Sequence, residues 1–292
     1  MTAVTHVGIV AKSRLSAATP HLLEVEAWLG ARDIAALVEA ATAALMPPSP
    51  TRQVVDRQDL VSRAGLVLVL GGDGTLLSMA DCIAQAGRCV PILGVNFGSL
   101  GFLTEVTLPE LYPALEAALA GRAHVEDRLM LRATVHSSGT PQVGVAVNDV
   151  VINKAAPSRL INLSVFVGDE FVTHVRADGL IIATPTGSTA YNLSAGGPVV
   201  EPSVDAMVLT PIAPHTLSNR PIVIPASATV RVKPVIGDRD GAFVTFDGQA
   251  GFELRAGDEI IVGRAAEPMR LIRPSTRSYF EVLREKLNWG QR

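Results

Sequence analysis

Cysteine is nearly absent: the 292 residues contain two, Cys82 and Cys89. Two thiols make neither a disulfide framework nor a zinc spacing, and they read as reduced, partly buried side chains. The six histidines are scattered, with no His-x-x-x-His or Cys pairing, which excludes a zinc site of ordinary spacing. Long apolar runs are missing too. The best candidate, Leu66–Leu70, has the length of a buried strand and falls far short of the ~20 residues that span a bilayer. The start, MTAVTHVGIV, lacks the basic stretch and apolar core of a secretory signal. Nor is there a basic surplus: 25 Lys and Arg against 28 Asp and Glu give a formal charge of −3, which argues against a general nucleic-acid binder. A Gly-x-Ser-x-Gly elbow is lacking, as are Gly-x-Gly-x-x-Gly and any Gly-Lys-Ser/Thr after a glycine-rich loop. These absences leave a soluble, cytoplasmic globular protein with no membrane or nucleic-acid partner.

What is present is apolar material, 48% of the chain, enough for one large domain or two modest ones. Over the first 124 residues short apolar runs alternate with helical patterns. Val7–Ala11, Leu66–Leu70 and Val90–Val95 read as strands, and His21–Met46, Leu76–Ala86 and Leu108–Ala120 as helices. Strands alternating with helices imply a parallel α/β layer. Beyond about residue 125 the period changes to two, as in Leu129 to Val135 and Ile161 to Val167, and Val143–Ile152 reads as one strand. That texture implies an all-β second domain. The last stretch, Ser278–Trp289, reads as a helix whose Tyr279, Phe280, Leu283, Leu287 and Trp289 need a docking surface.

Four motifs carry the chemistry. In the first, Gly71-Gly72-Asp73-Gly74-Thr75 follows a strand and opens a helix. Its glycines admit a ligand close to the backbone, and the helix N-terminus suits a phosphate. Asp73 beside such a loop is a general base for a hydroxyl, a magnesium partner, or simply a helix cap. The second, Asn96-Phe97-Gly98-Ser99-Leu100-Gly101-Phe102-Leu103, follows the next strand and reads as a second loop on the same sheet edge or an ordinary turn. The third is Asn148-Asp149, where Asp149 continues the apolar face of Val143, Val145 and Val147. A carboxylate there needs a partner, such as ribose hydroxyls, unless it lies at a strand end. The fourth runs from Asp178 through Thr184-Pro185-Thr186-Gly187-Ser188-Thr189-Ala190-Tyr191-Asn192 to Pro198. A single Tyr among many hydroxyls suits a planar polar ligand, although surface loops share this composition.

In this order and over nearly the whole chain, the four motifs resemble the NAD kinase family, most closely its proteobacterial members. Gly71–Thr75 alone resembles a signature shared with diacylglycerol kinases and phosphofructokinases; the other three are more specific. The resemblance implies transfer of the γ-phosphoryl group of ATP to the 2′-hydroxyl of the adenosine ribose of NAD, with a divalent metal, magnesium. It implies a homodimer or homotetramer in which neighbouring subunits contribute to the site. By resemblance Asp73 is the general base, and Gly71, Gly72, Thr75, Asn96 and Gly98 form the phosphate loops. Asp73, Gly74, Asn148, Asp149, Arg159, Arg176, Asp178, Thr189, Ala190, Tyr191, Asn192, Leu193, Ser194 and Gln249 match substrate-contact positions. Two positions depart from the family pattern: Ser78 stands where many members have a basic residue, and Asp149 where others carry Glu. The expected architecture is a Rossmann-like α/β domain over residues 1–124, completed by a C-terminal tail, 268–292, that docks back on it. A β-sandwich-like domain over 125–267 carries most of the NAD contacts.

Overall fold

The computed structural model describes residues 4–98, 100–137, 139–155, 160–216, 218–235, 241–249, 251–274 and 276–290. The chain divides into two compact units, one holding the residues up to Asp127 together with those from Met269 onward, the other Arg128–Pro268. The first unit begins with β1 (His6–Ala11), α1 (Thr19–Gly30), β2 (Ala35–Glu39), α2 (Ala40–Ala43), β3 (Gln53–Val55) and α3 (Arg57–Arg63). It continues through β4 (Leu66–Leu70), α4 (Asp73–Gln85), β5 (Ile92–Val95), α5 (Leu111–Leu119) and β6 (His124–Arg128). The second unit holds β7 (Leu131–His136), β8 (Gln142–Ala146), β9 (Asp149–Lys154), β10 (Ile161–Val167), β11 (Glu170–Ala177) and β12 (Gly179–Ala183). After β12 come α6 (Tyr191–Ser194), β13 (Ala206–Ile212), β14 (Ile222–Pro225), β15 (Val230–Val235), β16 (Ala242–Phe246), β17 (Gly251–Leu254) and β18 (Glu259–Arg264). The chain then returns to the first unit as β19 (Met269–Arg273) and α7 (Tyr279–Leu287).

In the first unit a sheet runs in the order β3-β2-β1-β4-β5-β19-β6, with parallel pairing from β3 to β19. The Leu66–Leu70 run is buried at every position, as a central strand covered on both faces requires. Strand order reverses between β1 and β4, and ligands of open α/β sheets gather at the carboxyl ends of the strands flanking such a point. The tail docks as expected, with β19 paired to β5. Only part of its apolar helix is covered, however: Val282 and Leu283 are buried, while Phe280 and Trp289 remain more than half exposed.

Two segments differ from the sequence reading. His21–Met46 is not one helix. It turns at Asp33, whose φ is +57°, and continues as β2 between β1 and β3. Sheet pairing overrides the helical propensity of an Ala/Leu-rich stretch. The short, exposed β3 and the Asp56-capped α3 carry too little periodicity to be read. Likewise Val143–Ile152 is two strands in different sheets, broken at Val147-Asn148.

The second unit is a sandwich of two six-stranded sheets, ordered β11-β10-β15-β18-β7-β8 and β14-β13-β12-β9-β16-β17. Leu131, Val135, Leu163 and Val232 of one share a core with Ile152, Leu180, Ile182 and Val244 of the other. A second cluster, Val151, Ile181, Ala183 and Val208, packs against Ala195 and Val200, so the segment after α6 covers the outer face of its sheet.

Candidate active site

In the first unit both glycine-bearing loops leave the carboxyl ends of parallel strands. Gly72, extended at φ −111° and ψ −179°, is the N-cap of α4, so the helix begins at Asp73 rather than at Leu76 as the sequence suggested. Nothing lies within 4 Å of where a Cβ would stand on Gly72 or Gly74, leaving the helix N-terminus open to a ligand. Thr75 stays beside the loop, its Oγ1 3.0 Å from the corresponding position on Gly71.

Asp73 does not cap its helix. Its Oδ1 accepts from the N–H groups of Leu103 (3.1 Å) and Thr104 (2.9 Å) and from the Thr104 hydroxyl (2.8 Å), and its Oδ2 from the N–H of Phe102 (2.8 Å). The second loop is therefore a cradle for this carboxylate. Gly101 is required for the approach, because a Cβ there would stand 2.1 Å from Asp73 Oδ1. Asn96 closes the loop: its Oδ1 accepts from the Gly98 N–H at 2.5 Å and its Nδ2 donates to Thr104 Oγ1 at 3.1 Å. Ser78, five residues past Asp73 on α4, accepts a hydrogen bond from Arg57 Nη1 at 2.6 Å. A guanidinium thus reaches this turn of α4 from another helix, with buried Glu39 2.5 Å from its Nε.

In the second unit the break between β8 and β9 is held by one side chain. The Asp247 carboxylate accepts from the N–H groups of Val147 (2.9 Å), Asn148 (2.7 Å) and Asp149 (3.1 Å). Asp247 occupies the left-handed region (φ +51°) in the turn between β16 and β17, with Gln249 exposed two residues on. Asp149 is 4% exposed, and among the described residues no group donates to its carboxylate. Burial, reinforced by the Asp247 charge, pushes it up to about 7.

The hydroxyl-rich segment folds onto this break. Thr184 Oγ1 donates to the Val147 carbonyl (2.6 Å) and accepts from the Gly187 N–H. Gly187 lies so close that a Cβ would stand 2.0 Å from the Asn148 carbonyl oxygen. Ser188 bonds the main chain of Pro185 and Val200. Asn192, fully buried, donates to the Ser188 and Pro198 carbonyls and accepts from the Thr210 hydroxyl. Much of the segment's polarity therefore builds the loop itself. Tyr191 and Ser194 are left exposed, and Thr189, Ala190 and Leu193 half-buried.

Arg176 and Asp178 stand apart from this group. Register pairs Ala183 with Asp149 but Gly179 with Asn153. Asp178 is consequently at the opposite end of β12 from Thr184, about 20 Å away at strand rise. There it is 2.5 Å from Lys154 Nζ, with Arg176 exposed on β11. Arg159 lies outside the described residues.

Comparisons with known proteins show the family. The model of the ATP-NAD kinase N-terminal domain matches residues 7–123, and that of the ATP-NAD kinase C-terminal domain matches residues 147–274. The chain belongs to the ATP-NAD kinase family. The NAD kinase of Geotalea daltonii is 50% identical over 270 residues, covering 92% of this chain and 93% of that one. That of Moorella thermoacetica is 44% identical, covering 97% and 89%. Among solved structures, yeast NADH kinase complexed with NADH matches with a TM-score of 0.90 at 29% identity, covering 100% of this chain and 90% of that one. An NAD kinase from Archaeoglobus fulgidus in complex with ATP matches at 0.75 and 26%, covering 96% and 99%.

The sequence reading did not single out Thr104, Asp247 or Arg57. Asp247 was visible only as half of an Asp-Gly turn, and the other two only as polar residues outside any motif. Their roles come from contacts that span 18 to 100 positions in the chain.

Proposed function

We propose that Asp73 is the general base of the reaction that family membership gives this chain, the ATP-dependent phosphorylation of NAD. A ribose hydroxyl is a weak acid, so a carboxylate within hydrogen-bond reach assists as its proton leaves. The observation that carries the reading is the placement of Asp73 at an open helix N-terminus on the ligand side of a parallel sheet. The N-terminus of α4, with Gly71, Gly72 and Thr75, contributes N–H donors and dipole to the phosphates of ATP. Phosphoryl transfer then asks chiefly for positioning and charge stabilisation.

Asn148 and Asp149 recognise the polar groups of NAD. A buried carboxylate that no described group donates to is an acceptor suited to ribose hydroxyls, and Tyr191 offers an exposed ring for stacking. Asp149 being one methylene shorter than the usual Glu draws that acceptor back into the strand end. Gly74, Thr189, Ala190, Asn192, Leu193, Ser194 and Gln249 complete the NAD contacts, Asn192 through the shape it gives its loop.

Among the described residues no three His, Cys, Asp or Glu converge. Magnesium commonly binds through one or two carboxylates together with substrate phosphates. We therefore treat the divalent ion as part of the substrate, metal–ATP. Arg176 and Asp178, a strand length from Asp149, fit a homo-oligomer in which they serve the site of a neighbouring copy. The exposed Phe171, Val223, Val235 and Phe243 of the β unit supply apolar surface for such contacts. Both cysteines are free, which suits the cytoplasm, and no described helix is long and apolar enough to cross a membrane.

The test is NADP formation from NAD, ATP and magnesium, read with an NADP-specific dehydrogenase. Asp73→Asn is expected to lower kcat by roughly 10²–10⁴-fold while NAD binding, measured by calorimetry, stays within a few-fold. A variant that loses NAD binding yet turns over what it binds at the wild-type rate would contradict the role.

A further inference from the structure

We propose that Thr104 is the positioning residue of the Asp73 carboxylate, saturating Oδ1 so that Oδ2 is the oxygen that receives the proton. The inference rests on the reading of Asp73 as the base and adds to it which oxygen acts and what holds it.

The direction of the hydrogen bonds is forced. The Gly98 N–H lies 2.5 Å from one terminal atom of the Asn96 amide, so that atom is the oxygen. The other, Nδ2, only donates, and it faces Thr104 Oγ1 at 3.1 Å. The Thr104 hydroxyl therefore accepts from Asn96, and its single hydrogen points to Asp73 Oδ1 at 2.8 Å. Together with the N–H groups of Leu103 and Thr104, this gives Oδ1 three donors, whereas among the described residues Oδ2 has only the Phe102 N–H. Each carboxylate oxygen offers about two lone pairs. Oδ1 is filled, and Oδ2 keeps one free.

Thr104 is itself held in place. It is fully buried, and its carbonyl accepts from the Gly101 N–H at 3.2 Å. The next residue, Glu105, is buried at 2% exposure and gripped by Arg273 through Nε (2.9 Å) and Nη2 (2.7 Å). The Glu105 carbonyl takes a further bond from Arg277 Nη1 at 2.8 Å. The chain's last strand thereby fixes the residue that orients the carboxylate 31 positions from it.

Thr104→Val removes the hydroxyl and keeps the branched shape. We expect kcat to fall roughly 10- to 100-fold, the cost of a misaimed reacting group, with KM for NAD changed less than about twofold. Thr104→Ser, which restores the hydroxyl, should recover kcat to within a few-fold. In an Asp73→Asn background Thr104→Val should have no further effect, since Thr104 acts only through that carboxylate. Wild-type kcat in Thr104→Val overturns the proposal. So does an equal loss in both backgrounds, and so does a loss that Thr104→Ser does not recover. If Asp73→Asn itself keeps wild-type turnover, the reading of Asp73 as the base fails first, a result distinguishable from these.

Discussion

Asp149 holds its proton in the folded protein to about pH 7, against an ordinary value of 3.8, because it is buried and faces the Asp247 charge. In the unfolded chain the proton leaves near the ordinary value. Between about pH 4 and pH 7 the folded state therefore binds more protons, so this group's contribution makes stability fall as pH rises through that window and level off above it. The total is on the order of 4 kcal/mol. Asp149→Asn keeps the size and removes the ionisation. The variant is expected to melt at a higher temperature than the wild type at pH 8, with the gap closing toward pH 4.5. A gap that stays constant between those pH values would mean that ionisation of Asp149 is not the burden. On the reading of Asp149 as an NAD contact, bound ribose hydroxyls would donate to the carboxylate and relieve the same burden.

The break between β8 and β9 belongs to the scale of the element. Period-two alternation runs on through Val143, Val145 and Val147, and nothing local says that the chain leaves one sheet for the other. The cause is a carboxylate about 100 positions away, which takes the three N–H groups that a continuous strand would have paired. Asp247→Ala should unpair those donors, destabilise the protein by about 1–3 kcal/mol in denaturant unfolding, and raise KM for NAD. Asp247→Asn keeps an acceptor and tolerates the left-handed backbone, so most of the stability should remain. If the Ala variant unfolds like the wild type, solvent replaces the carboxylate and the break has another origin. The same contrast explains what the sequence revealed elsewhere. Leu66–Leu70 and the glycine loop after it were legible because burial on both faces and a strand-to-helix turn are local signals. The strand Ala35–Glu39 was hidden because its residues favour a helix and only its neighbours β1 and β3 make it a strand. Asp73 was legible as part of a glycine loop that opens a helix, but its cradle was not, since the Phe102–Thr104 N–H groups are backbone and leave no mark in residue type.

At the scale of the whole molecule, the α/β sheet cannot be completed until the β unit has been made. The chain departs after β6 and returns only at Met269, and β19 then sits between β5 and β6. Its Leu271 and Ile272 are buried, and its Arg273 joins Glu105 to Glu126 in a nearly buried ion-pair network. Removing one partner of a buried pair is costly, about 3–5 kcal/mol, and losing the strand also opens the sheet. That alone approaches the net stability of an ordinary domain, roughly 5–15 kcal/mol. A chain ending at Pro268 is therefore expected to lose the cooperative melting transition of the first unit, whereas one ending at Asn288 keeps it, because exposed Trp289 adds little. Circular dichroism melting of the two truncations decides the matter. If the chain ending at Pro268 melts like the full protein, residues 6–128 fold without their last strand, and Arg273 cannot be what fixes Glu105. Loss of the transition with the longer truncation intact would instead place the dependence on β19 and α7, the elements that tie the end of the chain to the loop holding Asp73.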